Sequence, residues 1–141
     1  MAKNPDVIEI RFPNRSEYVG VVRLAVSGLA ARCNCTIDEI EDLKIAVTEA
    51  CTNAVLHGYN GKSGQGLVRC LPGANELTVE VIDQGVGFNV KKALANAGQG
   101  SKNTTPGLGL GLTFIQTLMN EMKVSSTLKN GTTVRFKKIH A

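Results

Sequence analysis

The chain has 141 residues, 43% hydrophobic and 20% charged, so it can bury a core and does not have the composition of a disordered segment. Lys and Arg number 16 against 12 Asp and Glu, a formal net charge of +4. Aromatics are 4% and Trp is absent, which leaves Val, Leu, Ile and Ala to build the core, while 15 glycines exceed the roughly 7% of an average protein.

Val7 to Phe12 alternates apolar and charged residues and predicts a half-buried strand. Ser16 is placed to cap a helix over Glu17 to Arg32, with Val19, Val22, Val26 and Leu29 on one face. Thr36 and Glu39 make a capping box for the strongest helix, Ile37 to about His57. Its apolar stripe runs through Ile37, Ile40, Leu43, Ala46/Val47, Ala50 and Ala54, and Gly58 stops it. Gly58 to Gly66 reads as a loop. Leu67 to Leu71 and Leu77 to Ile82 predict a hairpin around Pro72-Gly73-Ala74-Asn75. Val90 to Ala97 suits a short helix, and Gly98 to Gly107 is polar and without periodicity. Leu110 to Glu121 predicts another helix; Val124 to Leu128 and Thr132 to Ile139 are strands around Lys129-Asn130-Gly131. This order predicts one domain over residues 1–141. Its fold class is α/β: a two-layer sandwich with a mixed, largely antiparallel sheet and helices on one face.

Several function classes fall away. No apolar run approaches the roughly 18–20 residues of a membrane span, and Met1 to Asp6 has no signal-peptide pattern. The expectation is a soluble, cytoplasmic protein with no membrane association. Cys33, Cys35, Cys51 and Cys70 are too few and scattered for a disulfide framework and lack zinc spacing, so structural thiols are expected. The basic residues are spread out with no aromatic interleaving, which argues against direct nucleic-acid binding. Gly58-Tyr59-Asn60-Gly61-Lys62-Ser63 ends like a P-loop but has two residues between its glycines where four are required. A dinucleotide fingerprint also fails, because polar loop rather than strand precedes Gly107.

Three constellations can carry chemistry. Glu49 and Asn53 are four residues apart on one helix face, and His57 continues the row. A carboxylate and a carboxamide there suit a hard cation or a general base, but such a pair taken alone is usually just the wet face of a helix. The small Ala46, Ala50 and Ala54 around them favour the site. Asp83-Gln84-Gly85-Val86-Gly87 follows a strand directly. Its carboxylate can accept from an exocyclic amino group, and its glycines let backbone approach a ring; a simple Asp-Gly turn has the same pattern. Gly107-Leu108-Gly109-Leu110-Gly111 opens a helix. Free N–H groups at a helix N-terminus suit phosphate, although a hinge is an equal reading of such a run.

In order and spacing, Glu49 to Asn53, Asp83 to Gly87, Gly107 to Gly111 and Gly131-Thr132-Thr133-Val134 resemble the Bergerat ATP-binding fold, the GHKL superfamily of gyrase, chaperone ATPases and histidine kinases. The segments from Glu17 to Gly20 and from Asp38 to Val55 are similar to one branch, the anti-sigma factor serine-protein kinases of the RsbW and sporulation anti-sigma-F types. The resemblance covers essentially the whole chain. It implies that Glu49 is the general base and that Asn53 coordinates Mg2+ on ATP or ADP. Asp83 would bind the adenine amino group, with Thr132 sharing a water and Gly85 and Gly87 close to the base. Gly107, Leu108, Gly109, Leu110 and Gly111 would surround the phosphates, and Gly98 to Pro106 would be a lid. Lys102 is the nearest cation for a γ-phosphate. The implied partners are a sigma factor and an anti-sigma-factor antagonist phosphorylated on serine, with the kinase a homodimer. The unphosphorylated antagonist would take the kinase from the sigma factor in an ADP-favoured complex. Arg23, on the exposed face of its helix, is a candidate partner contact. A nucleotide-sensing module without kinase activity is the alternative, and Glu49 speaks against it.

Overall fold

The structure is a computed structural model and describes residues 5–58, 64–85, 87, 90–95, 108–126 and 131–140. Five strands, β1 (Ile8–Pro13), β2 (Gln65–Pro72), β3 (Glu76–Asp83), β4 (Glu121–Ser126) and β5 (Thr132–Ile139), form one sheet. Its order is β1-β2-β3-β5-β4, and every pairing is antiparallel. The helices are α1 (Val19–Arg32), α2 (Ile37–Asn53), α3 (Val90–Ala95) and α4 (Leu108–Leu118). The expected two-layer α/β architecture is therefore found, with a wholly antiparallel sheet among the described residues.

Strand alternation separates the sheet faces. Ile10, Val68, Val81, Val134 and Val124 stand opposite one another across all five strands, beside a row of Ile8, Cys70, Val79, Phe136 and Met122. These rows meet Val22, Val26, Leu43, Val47, Leu112 and Ile115 from the helices in one core. Each such side chain, fully buried, contributes about 1.5–3 kcal/mol. The outer face carries Glu9, Arg69, Glu80, Arg135 and Lys123 in register. Arg69 pairs with Glu9 at 2.9 Å, and Glu80 lies 3.5 Å from both Arg69 and Arg135. Exposed pairs of this kind add little stability. They do neutralise much of the basic charge on this face.

Local chemistry explains where the boundaries depart from expectation. Ser16 is not an N-cap; Ser16–Tyr18 is a 3-10 turn leading into α1, a common way to tighten a helix start. The expected loop ends early, because β2 begins at Gln65 and the Phe12 ring covers the place where a Gly66 side chain would stand. Helix α4 ends at Leu118 rather than Glu121, and β4 starts three residues before Val124. The Lys138 ammonium stops α4: Nζ donates to the Leu118 carbonyl at 2.7 Å and reaches Asp42 Oδ2 on α2 at 3.0 Å. Ile37 lies exposed at the first position of α2, so the apolar stripe starts at Ile40. The Thr36–Glu39 capping box is present, and His140 Nδ1 meets the same Glu39 carboxylate at 2.9 Å. At the end of α1, Asn34 takes φ 62° and Cys35 N–H donates to Ala30 O, a Schellman closure.

Gly20 and Gly28 inside α1 serve no close packing. A Cβ at Gly28 would meet nothing within 4 Å, and at Gly20 only the Arg23 guanidinium at 3.5 Å. Gly28→Ala should therefore stabilise the protein by about 0.5–1 kcal/mol through helix propensity. Chemical denaturation of the two proteins checks this; an unchanged or lower midpoint would show that the position has another role.

Candidate active site

The capping box and buried face of α2 fix its rotation about its axis, and with it the direction of Glu49 and Asn53. Both are partly buried and lie against α4. A Cβ built on Gly111 of α4 would sit 3.0 Å from Glu49 Oε2 and 3.2 Å from Asn53 Nδ2. The two side chains thus converge on one point of α4. Asn53 Nδ2 is buried and, among the described residues, has no hydrogen-bond partner. An unpaired buried donor is costly, so this site is built for an acceptor that arrives from outside.

The helix changes character immediately after Asn53. Ala54–Gly58 forms a π-helical turn, which packs against β3. The His57 side chain, expected to continue the row, lies outside the described residues. Cys51 lies buried in the last turn of α2, and burial pushes its thiol up to about 12. It is a small core residue at neutral pH, not a nucleophile. Cys70 behaves likewise at about 11, and all four cysteines are free, as expected.

The second group forms where the apolar inner face of the sheet ends. Because β5 inserts between β3 and β4, Thr132 pairs with Asp83 on one side and Ser126 on the other. Asp83 and Thr132 are each 7% exposed. Asp83 Oδ1 accepts from Gly85 N–H at 2.9 Å, and the Thr132 N–H also points at this carboxylate. The Thr132 and Ser126 hydroxyls are 2.7 Å apart. Gly131, at φ 81°, lies so close to the Asp83 carbonyl that any side chain would collide with it. Gly87 also takes a positive φ, 69°. Ser126 was not foreseen as a site residue; its register with Thr132 across the β4–β5 turn is the signal that finds it.

The remaining expected residues divide. Leu110 is 43% exposed on α4 beside Phe114, away from the Gly111 face. Leu108 and Gly109 form the first turn of α4. Lys102, Gly107 and the expected lid from Gly98 to Pro106 lie outside the described residues. On the other side of Glu49 runs a surface groove of about 420 Å³, lined by Arg23 of α1 and Glu41, Lys44, Ile45, Thr48 and Glu49 of α2. Glu49 therefore borders both the α4 junction and an open groove.

These groups fit ATP. Asp83 keeps free lone pairs for an amino group, and Asn53 offers one oxygen acceptor and one unsatisfied donor. Among the described residues no three His, Cys, Asp or Glu cluster as a metal cage. Mg2+ carried on phosphates needs none, because it retains waters and takes one or two protein oxygens.

Residues 12–138 match the family model of the histidine kinase-like ATPase domain. The chain belongs to this family. It is 43% identical to the serine-protein kinase RsbW of Bacillus pumilus over 145 aligned positions, covering 98% of this chain and 88% of that protein. It is 37% identical to the anti-sigma F factor of a Thermoanaerobacter species, covering 94% and 93% of the two chains. Within the family it therefore belongs with the anti-sigma kinases. The RsbU and RsbW domains of Rv1364c from Mycobacterium tuberculosis superpose with a TM-score of 0.68 at 21% identity, covering 95% of this chain and 32% of that one. That likeness is one of fold. No described helix is long and apolar enough to cross a membrane.

The Asp83 carboxyl has a pKa raised by burial and partly pulled back by the Gly85 and Thr132 N–H groups. A carboxyl whose pKa is higher in the fold than in the unfolded chain favours the fold when protonated. Its ionisation therefore costs nothing below the ordinary value of 3.8, and the full cost is present above the raised value. Asp83→Asn should raise the melting temperature of the nucleotide-free protein at pH 7, and the gain should shrink towards pH 3.8. The same variant should lose affinity for ATP. Calorimetry across pH checks both; a variant less stable at pH 7 would show that the carboxylate is satisfied without a ligand.

Proposed function

We propose that this protein is an ATP-dependent protein-serine kinase that also acts as an anti-sigma factor. The observation that carries the reading is the position of Glu49, with one carboxylate oxygen against Gly111 beside Asn53 and the residue itself lining the open groove. A base for phosphoryl transfer needs that double access. It must stand near the phosphate and be reachable by a hydroxyl on another protein.

Each residue has a distinct task. Asp83 accepts from the adenine amino group, with the Thr132 and Ser126 hydroxyls holding water beside it. Asn53 Oδ1 would hold Mg2+, and Nδ2 would donate to a phosphate oxygen. ATP would supply the transferable phosphoryl group, and Mg2+ held by Asn53 would neutralise charge on the leaving diphosphate. Glu49 takes the proton of the incoming serine hydroxyl as its oxygen bonds to phosphorus, and the bond to ADP breaks. The protein has little covalent work to do, because phosphoryl transfer rests mostly on positioning and charge stabilisation.

The names of the relatives support a sigma factor as partner, and the family resemblance supports an antagonist as serine substrate and a homodimer as the working form. The groove beside Glu49 is the reading's docking place for the substrate, with Arg23 and Lys44 supplying positive charge for an acidic segment. Between ATP turnover and sigma-factor release, the phosphorylation state of the antagonist would decide which partner the kinase holds.

Glu49→Gln should bind Mg-ATP within about threefold of the natural protein yet transfer phosphate at least about 100-fold more slowly to a serine-bearing partner co-purified from the native cell. Asn53→Ala should lose the Mg2+-dependent part of ATP affinity. Labelled ATP and a fluorescent-nucleotide titration measure these quantities. Undiminished transfer by Glu49→Gln would remove Glu49 as the base, and a natural protein that binds no Mg-ATP would end the kinase reading.

A further inference from the structure

We propose that Gly111 is a positioning residue for Glu49 and Asn53, and that this third glycine of the Gly107–Gly111 run acts through the base and the carboxamide rather than on a phosphate. The inference rests on the kinase reading for its catalytic meaning, but its geometry stands without it.

The nearest atoms to a Cβ at position 111 are all polar tips of those two side chains: Glu49 Oε2 at 3.0 Å, Asn53 Nδ2 at 3.2 Å and Asn53 Oδ1 at 3.5 Å. Gly111 is buried, as are Leu112, Ile115 and Met119 after it, whereas Leu110 and Phe114 turn outward. Position 111 therefore faces α2. The helix also begins at Leu108. The N–H groups without an intrahelical acceptor end at residue 110, and the N–H of Gly111 is the first to bond within the helix. It is thereby a poor phosphate donor, while residues 108–110 keep theirs.

Crowding of this kind differs from that at Gly131. At Gly131 an added side chain would strike backbone, which cannot yield. At Gly111 it would press on the ends of two rotatable side chains. Those can move aside, so the fold tolerates alanine, but the base and the carboxamide leave their places. A methyl group would also lie beside the unpaired Asn53 amide, where an acceptor is needed. The tips must yield by a few tenths of an ångström, less than the misplacement of about 1 Å that costs about 100-fold in rate.

Gly111→Ala should keep its affinity for ATP without Mg2+ within about threefold of the natural protein, weaken the Mg2+-dependent part of that affinity, and transfer phosphate about tenfold more slowly. In a Glu49→Gln background the same substitution should slow transfer no further, because the two changes act on one unit. The companion measurement is thermal unfolding without nucleotide. If Glu49 and the new methyl compete for space, Gly111→Ala should be better tolerated in Glu49→Ala than in the natural chain, with a higher relative melting temperature. Should Gly111→Ala alone fail to fold, the double variant should fold. Additive melting shifts, a double variant that also fails to fold, or loss of affinity for Mg2+-free ATP in step with rate would each overturn the proposal. Coupled melting shifts in a protein that binds no ATP would leave this packing inference standing and remove the kinase reading instead.

Discussion

Helix α4 rests on α2 at Gly111, and its far end is tied to the same helix by Lys138, which bridges the Leu118 carbonyl and Asp42. These two contacts hold one helix against another along its length. A helix fixed only by core contacts at Leu112 and Ile115 could slide by fractions of an ångström without losing much buried area. At Gly111 the missing side chain lets α4 come close enough for the polar tips of Glu49 and Asn53 to lie against its backbone. Lys138 gives the opposite end a charge-assisted bond to the last turn, where a cation also suits the helix dipole. Both helix ends near the site therefore inherit their places from α2, whose own start is fixed by the Thr36–Glu39 box.

The sheet supplies the other half by a change of character along one face. Two apolar rows cross all five strands, and the next row is Asp83, Thr132 and Ser126. The inner face thus passes from core to binding surface within one pleat. Burying Asp83 raises its pKa, a cost the fold accepts in return for an acceptor in a dry place. The orphaned Asn53 amide is a second such cost. Both are the marks of a surface shaped for a polar ligand rather than for maximum stability.

Much of this was readable from the chain. The Thr36 box, the Pro72–Asn75 hairpin and strand β5 follow from local chemistry, and local chemistry survives folding. Glu49 and Asn53 were found by helical spacing and Asp83 by its place after a strand. What could not be read depends on partners distant in sequence. Gly66 belongs to a strand because Phe12, over fifty residues earlier, covers it. The end of α4 is set by Lys138, twenty residues on. The π-helical turn after Asn53 is announced by nothing in Ala54 to Gly58. Gly111 was legible as part of a glycine run. Its contact with Glu49 appears only when α2 and α4 are packed.

The most direct test is an NMR titration of the natural protein with Mg-ATP, following the side-chain amide of Asn53 together with the backbone amides of Gly85 and Thr132. Saturable, concerted shifts at all three are expected, because the adenine and phosphate ends of one ligand would occupy both groups at once. No binding, or shifts that leave the Asn53 amide unmoved, would contradict the assignment of these residues to a single ATP site.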